Sequence, residues 1–224
     1  MHNRLYLVRH GQTIFNTRHL IQGRCDSPLT DLGRDQARCV GAWLRDNDIR
    51  ISAAFASLAE RACSTLELMW AGRYMRLEGL CERDFATLEG GPLSQLPNPI
   101  GDYPVPYGAE SMAHLETRLN DTMMGIMRGA YDGFVWDTHA GRSEVPPESQ
   151  ALAPSGNDAD GILVVSHGAA CKAFAHQWLE GAQAEIPYPF PNCEVLVYDF
   201  DGERFTLIEA ANPAESLGGE GLPV

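Results

Sequence analysis

The stretch Leu5-Tyr6-Leu7-Val8-Arg9-His10-Gly11-Gln12-Thr13 decides the fold of this chain. Its four apolar residues predict a short buried strand, which ends at an arginine, a histidine and a glycine. In α/β proteins, binding sites lie where the strands of the sheet end at their carboxyl edge. The stretch therefore predicts that a fixed cation, an imidazole and a flexible glycine meet at one point of a sheet edge.

A second stretch, Ile162-Leu163-Val164-Val165-Ser166-His167-Gly168, repeats this pattern far downstream. Two apolar strands that both end in His-Gly predict a two-histidine site at the edge of one sheet. Between them, apolar spacing predicts a helix from Thr30 to about Asp46, a strand from Ile51 to Phe55 and a helix from Leu58 to about Trp70. This alternation predicts an α/β fold, a three-layer α/β/α sandwich with a mostly parallel central sheet.

The chain length of 224 residues fits one domain over residues 1–224. Breaker residues predict an irregular cap insertion over about 84–150. It contains a methionine-rich helix, whose methionines either pack in the core, the favoured interpretation, or form a groove for a partner. The part from 129 to 160 reads as a long surface loop. Residues 211–224 are rich in glycine, proline and glutamate, which predicts a C-terminal tail.

The net charge of −13, with sixteen arginines and one lysine, argues against nucleic acid or an anionic membrane as a partner. No apolar run approaches the roughly 18 residues of a membrane span, and the chain enters its first strand directly, so a cytoplasmic location is expected. The six cysteines show no CxxC pairing, and no metal-ligand spacing is present. We therefore expect reduced thiols, no metal and no cofactor. An exposed edge strand would allow a homodimer, which nothing in the sequence requires.

These strand ends resemble the signature of the histidine phosphatase superfamily, the phosphoglycerate mutase-like proteins. The resemblance implies a phosphoglycerate mutase-like fold and continues in the same order along the chain. The matching segments are Leu7–Thr13 with Asn16, Gln22–Gly33, Ala56–Thr65, Glu82 with Glu89-Gly90, and Val165–Gly168. The family usually has a glycine where this chain has Ala86, so the loop around that position is expected to differ.

The resemblance implies a role for each matching residue. His10 corresponds to the nucleophile and Glu82 to the general acid and base, while Arg9, Arg61 and His167 correspond to the ligands of the phosphate. Flanking arginines would also depress the pKa of His10 and so keep its imidazole neutral for attack. Further phosphate contacts are predicted for Asn16, Gln22, the Gly23 backbone and Arg83.

Other polar residues keep two interpretations. Arg83 is either a substrate contact or a member of a surface ion pair. Arg18, His19 and Arg24 belong either to the substrate site or to a solvated loop, and His139 and Arg142 could reach the pocket as a lid.

We predict a metal-independent phosphatase of the phosphatase branch, which hydrolyses a small phosphomonoester through a phosphohistidine. A cofactor-dependent phosphoglycerate mutase is the first alternative. It would need extra cations for a carboxylate and a second phosphate, and residues 91–107 of the cap contain no arginine or lysine. The second alternative is a catalytically weak module that binds phosphorylated ligands.

Overall fold

The computed structural model describes residues 3–131, 161–187 and 190–218. Its strands form one six-stranded sheet in the order β3-β2-β4-β1-β5-β6. The strands are β1 (Arg4–Arg9), β2 (Ile51–Ala56), β3 (Tyr74–Arg76), β4 (Gly161–Ser166), β5 (Val195–Phe200) and β6 (Phe205–Ala211). The α-helices are α1 (Ile14–Thr17), α2 (Asp31–Asp46), α3 (Glu60–Met69), α4 (Met112–Met127) and α5 (Gly168–Gln177).

Strand β1 lies inside the sheet between the parallel strand β4 and the antiparallel strand β5. β2 runs parallel to both β3 and β4, whereas β5 and β6 form an antiparallel hairpin. In the register of β1 and β4, Arg9 is paired with Ser166. The residues that follow, His10 and His167, therefore leave the sheet side by side. The prediction of a mostly parallel sheet is confirmed.

Helices cover both faces of the sheet because successive side chains of each strand point to opposite sides. Leu5 and Leu7 of β1 pack in one core cluster with buried residues of α4 and α5. Tyr6 and Val8 pack in a second cluster with α2 and α3. The three-layer α/β/α sandwich predicted from the sequence is therefore the observed architecture.

Capping explains where two of the helices begin. Thr30 caps α2, and its side chain accepts a hydrogen bond from the Gly33 amide, as its position before an apolar periodic run predicts. The short helix α1 was not predicted. Thr13 and Asn16 form its capping box, in which each side chain accepts a hydrogen bond from the backbone of the other.

The cap insertion is shorter than predicted. Three 3-10 turns, at residues 86–88, 93–95 and 105–107, form its irregular part. The helix α4 that follows belongs to the core, where Met123 and Met127 are buried. The rest of the predicted cap and most of the predicted loop, including His139 and Arg142, lie outside the described residues.

The predicted tail is wrong for its first part. β6 continues to Ala211, and Ala214 is buried after it. The Gln36 side chain also donates a hydrogen bond to the Gly218 carbonyl, so this segment returns to α2. Among the helices of the described residues, none has both the length and the apolar character that crossing a membrane requires.

Candidate active site

The turn after β1 fixes the position of His10. The His10 amide donates to the Ser166 carbonyl at 3.0 Å, and the Arg9 amide donates to the Glu194 carbonyl at 3.1 Å. The next residue must be glycine, because a Cβ on Gly11 would lie 2.4 Å from the carbonyl oxygen of Gly33. The nucleophile candidate is thus held between β4, β5 and the first turn of α2.

The imidazole of His10 is oriented by its own neighbour. Its Nδ1 lies 2.8 Å from the Gly11 carbonyl oxygen, which can only accept, so Nδ1 carries the proton and Nε2 keeps its lone pair. Burial lowers the pKa of His10 well below its ordinary value, and the charges of Arg61 and Arg9 lower it further. The sequence predicted the effect of the arginines but not the larger effect of burial. A neutral, oriented imidazole is competent for nucleophilic attack.

Four buried side-chain nitrogen atoms near His10 have no hydrogen-bond partner among the described residues. They are Arg9 Nε, Gln22 Nε2, Arg61 Nε and His167 Nδ1. Buried polar groups are normally paired, so a cluster of unpaired donors is typical of a site that an anion fills. The structure brings together these four predicted residues.

The two positive side chains are held by contacts that leave one edge of each guanidinium free. Arg61 donates to the carbonyl oxygens of Gly23 and Cys25, and its NH1 lies 3.0 Å from an oxygen of Asp26. Arg9 donates through NH1 to the Phe190 carbonyl. Because both guanidinium groups are anchored through their terminal nitrogens, their unpaired Nε atoms are fixed in place.

The pocket lies in front of this cluster. Its polar lining consists of Arg9, His10, Asn16, Gln22 and Glu82. Arg61 and His167 lie behind it, at 1% and 0% exposure, and the rings of His167 and His10 are in edge contact with centroids 5.3 Å apart. Burial and the charge of Arg61 lower the pKa of His167 as well.

Glu82, in the loop after β3, lines the pocket beside the N-terminus of α5. Its Oε1 accepts from the amides of Arg83 and Ala170 at 2.9 Å each, and its Oε2 accepts from the Ala169 amide at 3.0 Å. Three backbone donors therefore fix the carboxyl group beside the nucleophile, where proton transfer to or from a leaving group requires it.

Asn16 also presents its amide nitrogen to the pocket. Its Oδ1 accepts from the Thr13 amide at 3.0 Å and from Asn192 Nδ2 at 3.4 Å. With the oxygen used by these two donors, the Nδ2 group is available to a ligand. Asn192 also donates to the His10 carbonyl at 2.9 Å, so it ties Asn16 to the nucleophile segment.

Two predicted phosphate contacts are corrected by the structure. The Gly23 amide donates to Glu89 Oε2 at 3.0 Å and is not free for an anion. The guanidinium of Arg83 donates to the carbonyls of Glu110 and Gly101 and to Asp102, so it holds the cap and does not line the pocket. Among the surface residues with two interpretations, Arg24 lines a groove that shares Glu82 with the pocket.

Sequence reasoning missed the residues that hold the site together. Glu89 accepts from the amides of residues 23–25, which shapes the loop that anchors Arg61. Arg118 of α4 pairs with Glu110 at 2.6 Å and donates to the carbonyls of residues 79, 81 and 82, behind the acid. Glu89 belongs to a segment that matches the family, but no role was assigned to it there. Arg118 lies within α4, away from any strand end, so the strand-end pattern does not indicate its role.

Comparison with known protein families agrees with the fold and with the residues of the site. The model of the histidine phosphatase superfamily (branch 1) matches residues 5–143 and 149–213. The chain belongs to this superfamily.

The similar proteins include both phosphatases and mutases. "Fructose-2,6-bisphosphatase TIGAR B" of Danio rerio is 29% identical over 205 residues, which cover 82% of this chain and 77% of the relative. A "2,3-bisphosphoglycerate-dependent phosphoglycerate mutase" of Methylorubrum extorquens is 42% identical over 96 residues, which cover 40% of this chain and 45% of the relative.

Solved structures show the same fold. A phosphoglycerate mutase from Bacillus anthracis has a TM-score of 0.70 at 21% identity, with 95% of this chain and 94% of that chain covered. A mutant phosphoserine phosphatase from Entamoeba histolytica, in complex with phosphoserine, has a TM-score of 0.66 at 20% identity, with 96% and 98% covered. Phosphatase activity is supported by the family match together with the relatives named as fructose-2,6-bisphosphatases.

Proposed function

We propose that this protein is a metal-independent phosphatase that hydrolyses small phosphomonoesters through a phosphohistidine on His10. The observation that carries the proposal is the cluster of four unpaired buried donors around a neutral, oriented imidazole. Charge-assisted hydrogen bonds of this kind contribute about 1.5–3 kcal/mol each, so the site's own side chains can bind a phosphate.

The first step is attack of His10 Nε2 on phosphorus. The bond from phosphorus to the leaving oxygen breaks, and the Glu82 carboxyl group donates its proton to that oxygen. Arg9, Arg61 and His167 stabilise the charge on the phosphoryl oxygens during transfer.

The second step hydrolyses the phosphoenzyme. The Glu82 carboxylate takes a proton from a water molecule, whose oxygen attacks phosphorus as the bond to Nε2 breaks. Inorganic phosphate leaves, His10 is again neutral and Glu82 is again protonated, so both groups are ready for the next turnover.

The test is phosphate release from a panel of phosphomonoesters with chelator present, together with rapid acid-free quenching to detect phosphohistidine. His10→Ala is expected to abolish both turnover and the phosphoenzyme. Full activity in this variant would refute the mechanism. A folded protein that binds phosphorylated ligands without turnover or phosphoenzyme would instead be the binding module.

The mutase remains a second candidate because of the relative that is 42% identical over 96 residues. The same assay separates the two when 3-phosphoglycerate is supplied with and without 2,3-bisphosphoglycerate. Isomerisation to 2-phosphoglycerate with little phosphate release would favour the mutase.

A further inference from the structure

Part of the pocket lining is apolar, and we call this part the wall. Five side chains form it: Leu20, Ile21, Phe85, Leu93 and Leu96. They come from the loop after α1 and from the cap, and they offer a phosphate no hydrogen-bond donor. Because the donors of the pocket serve the phosphate, the wall is the part of the lining that is left to contact the leaving group.

The wall is already assembled in this structure. The Ile21 amide donates to the Gly91 carbonyl at 2.8 Å, and the Leu93 amide donates to the His19 carbonyl at 2.8 Å. The Gly90 amide returns a hydrogen bond to the Ile21 carbonyl at 2.9 Å. These backbone contacts tie the cap to the loop, so the apolar surface does not depend on a ligand to form it.

The charged side chains near the wall would not stabilise a second anionic group on the substrate. Arg9 and Glu82 are the charged side chains of the pocket within the described residues, and Arg9 serves the phosphate. In the adjoining groove, Arg24 is the single cation that the described part of the chain supplies, and it stands beside the acidic Asp26 and Glu60. A second phosphate or a carboxylate would lose its water against apolar or acidic side chains without gaining a cation, which is costly.

We infer that this site prefers a monophosphate whose leaving group is uncharged and largely apolar over bisphosphates and phosphoglycerates. The inference rests on the proposed phosphatase function. It sets this chain apart from the similar protein named as a fructose-2,6-bisphosphatase. An apolar wall favours a matching group because burying apolar surface is favourable and roughly proportional to its area.

The experiment compares kcat/KM for 2-phenylethyl phosphate, glycerol 3-phosphate, 3-phosphoglycerate and fructose 2,6-bisphosphate. The first three are primary alkyl esters, so differences in leaving-group chemistry are small among them. We expect kcat/KM for the phenylethyl ester to exceed kcat/KM for 3-phosphoglycerate by about tenfold or more, because apolar pockets discriminate between substrates by about this factor.

Leu96→Arg supplies the missing cation on the wall. This variant is expected to lower kcat/KM for the phenylethyl ester about tenfold and to raise it for 3-phosphoglycerate. Leu217→Arg makes the same change at an exposed leucine in the turn after β6 and should leave kcat/KM for both esters unchanged. A wild-type preference for the anionic esters, or equal effects of both variants, would overturn the inference alone. Absence of phosphate release from all four esters would overturn the proposed function and this inference with it.

A second observation, independent of the wall, concerns Ser57 at the end of β2. Its side chain is fully buried, and its Oγ lies 2.6 Å from His167 Nε2. The Ala59 amide donates to the same Oγ at 3.2 Å. Since the oxygen already accepts this hydrogen bond, its own proton is free to be donated to the imidazole.

The direction of this hydrogen bond sets the tautomer of His167. When Nε2 accepts from Ser57, the neutral ring carries its proton on Nδ1. Nδ1 is the buried atom without a partner among the described residues, so its proton would be the donor that the phosphate meets. The opposite tautomer would direct a lone pair at the phosphate and leave the Ser57 proton without this acceptor.

We propose that Ser57 is a positioning residue that holds His167 in the Nδ1–H tautomer. Ser57→Ala is expected to lower kcat about tenfold or more, with a smaller change in KM, and Ser57→Thr is expected to retain most of the activity. The decisive readout is the nitrogen NMR spectrum of the His167 ring, which should change from one tautomer to a mixture in the alanine variant.

Ser166→Ala is the matched control. It also removes a buried hydroxyl, but the Ser166 proton is donated to the Leu80 carbonyl at 2.8 Å and not to the ring. We expect the control to keep the wild-type tautomer. An unchanged tautomer in Ser57→Ala, or the same loss of kcat in both alanine variants, would overturn the proposal.

Discussion

Glu194, which immediately precedes β5, provides a stability test of the structure. Its side chain is 3% exposed, and its Oε2 has no hydrogen-bond partner among the described residues. Burial, and to a smaller extent the charge of Glu215, raise the pKa of Glu194 to about 8. The carboxyl group therefore keeps its proton in the folded chain at pH values where the unfolded chain has released it.

The sign of the effect follows from proton binding. Between the ordinary carboxyl pKa and pH 8 the folded state holds one more proton than the unfolded state, so the free energy of unfolding falls as the pH rises. The slope is at most about 1.4 kcal/mol per pH unit, which gives an upper bound of about 5 kcal/mol across the window. Movement of the turn at 215–217 would relieve part of this cost, so we expect about 2–4 kcal/mol.

Glu194→Gln removes the titrating group while keeping the size of the side chain. The variant and the wild type are compared by denaturant unfolding at intervals from about pH 5 to about pH 9. We expect the variant to gain stability relative to the wild type as the pH rises and to keep that gain above about pH 8. The contributions of other titrating groups, including His10 and His167, cancel in the difference between the two free energies of unfolding, because both proteins contain these groups.

Glu209→Gln, at an exposed position of β6, makes the same chemical change at a solvated carboxyl group and serves as the control. If the difference for Glu194→Gln varied with pH no more than the difference for this control, the Glu194 carboxyl group would not be held protonated by burial, and the reasoning would be wrong.

Three further predictions concern the loops and the site. Ala86 has φ +47°, so Ala86→Gly is expected to raise the free energy of unfolding by about 0.5–1 kcal/mol, measured by denaturant unfolding; a loss would contradict the assigned strain. Arg118→Met removes the guanidinium partner of the Glu110 carboxylate, whose side chain is 5% exposed, and should cost about 3–5 kcal/mol; a second change, Glu110→Gln, should recover part of that cost in the same assay. Because the pKa of His10 lies well below its ordinary value, kcat/KM should show no loss near pH 6.5 from protonation of the nucleophile; an acid limb that moves with His10 in that range would refute this.

The parts of the fold that the sequence predicted depend on local patterns. β1 and β4 are apolar runs with abrupt polar ends, and Thr30 precedes an amphipathic helix, so each can be identified without knowledge of its neighbours. His10 and His167 could be identified for the same reason, because each follows the end of an apolar strand. The roles of Arg61 and Glu82 came from the resemblance to a known family and not from a local pattern.

The parts that the sequence did not predict depend on distant contacts. Arg83 looks like a phosphate ligand in the sequence, but residues 101–110 supply three acceptors for its guanidinium. Gly23 was predicted to bind phosphate, yet its amide is used by Glu89, 66 residues away. Core packing of the methionines of α4 was expected from the sequence, but the extent of the insertion was not, because the breaker residues before the helix do not show where the insertion ends.

The central position of β1 has a consequence for how the chain acquires its activity. The two strands that flank β1 begin at Gly161 and Val195, so both edges of the first strand to be synthesised stay unpaired until most of the chain has been made. Folding that waits for such distant partners is slow and exposes an aggregation-prone edge meanwhile. His10 is therefore synthesised well before β4, the strand that must pair with β1 to bring His167 beside it.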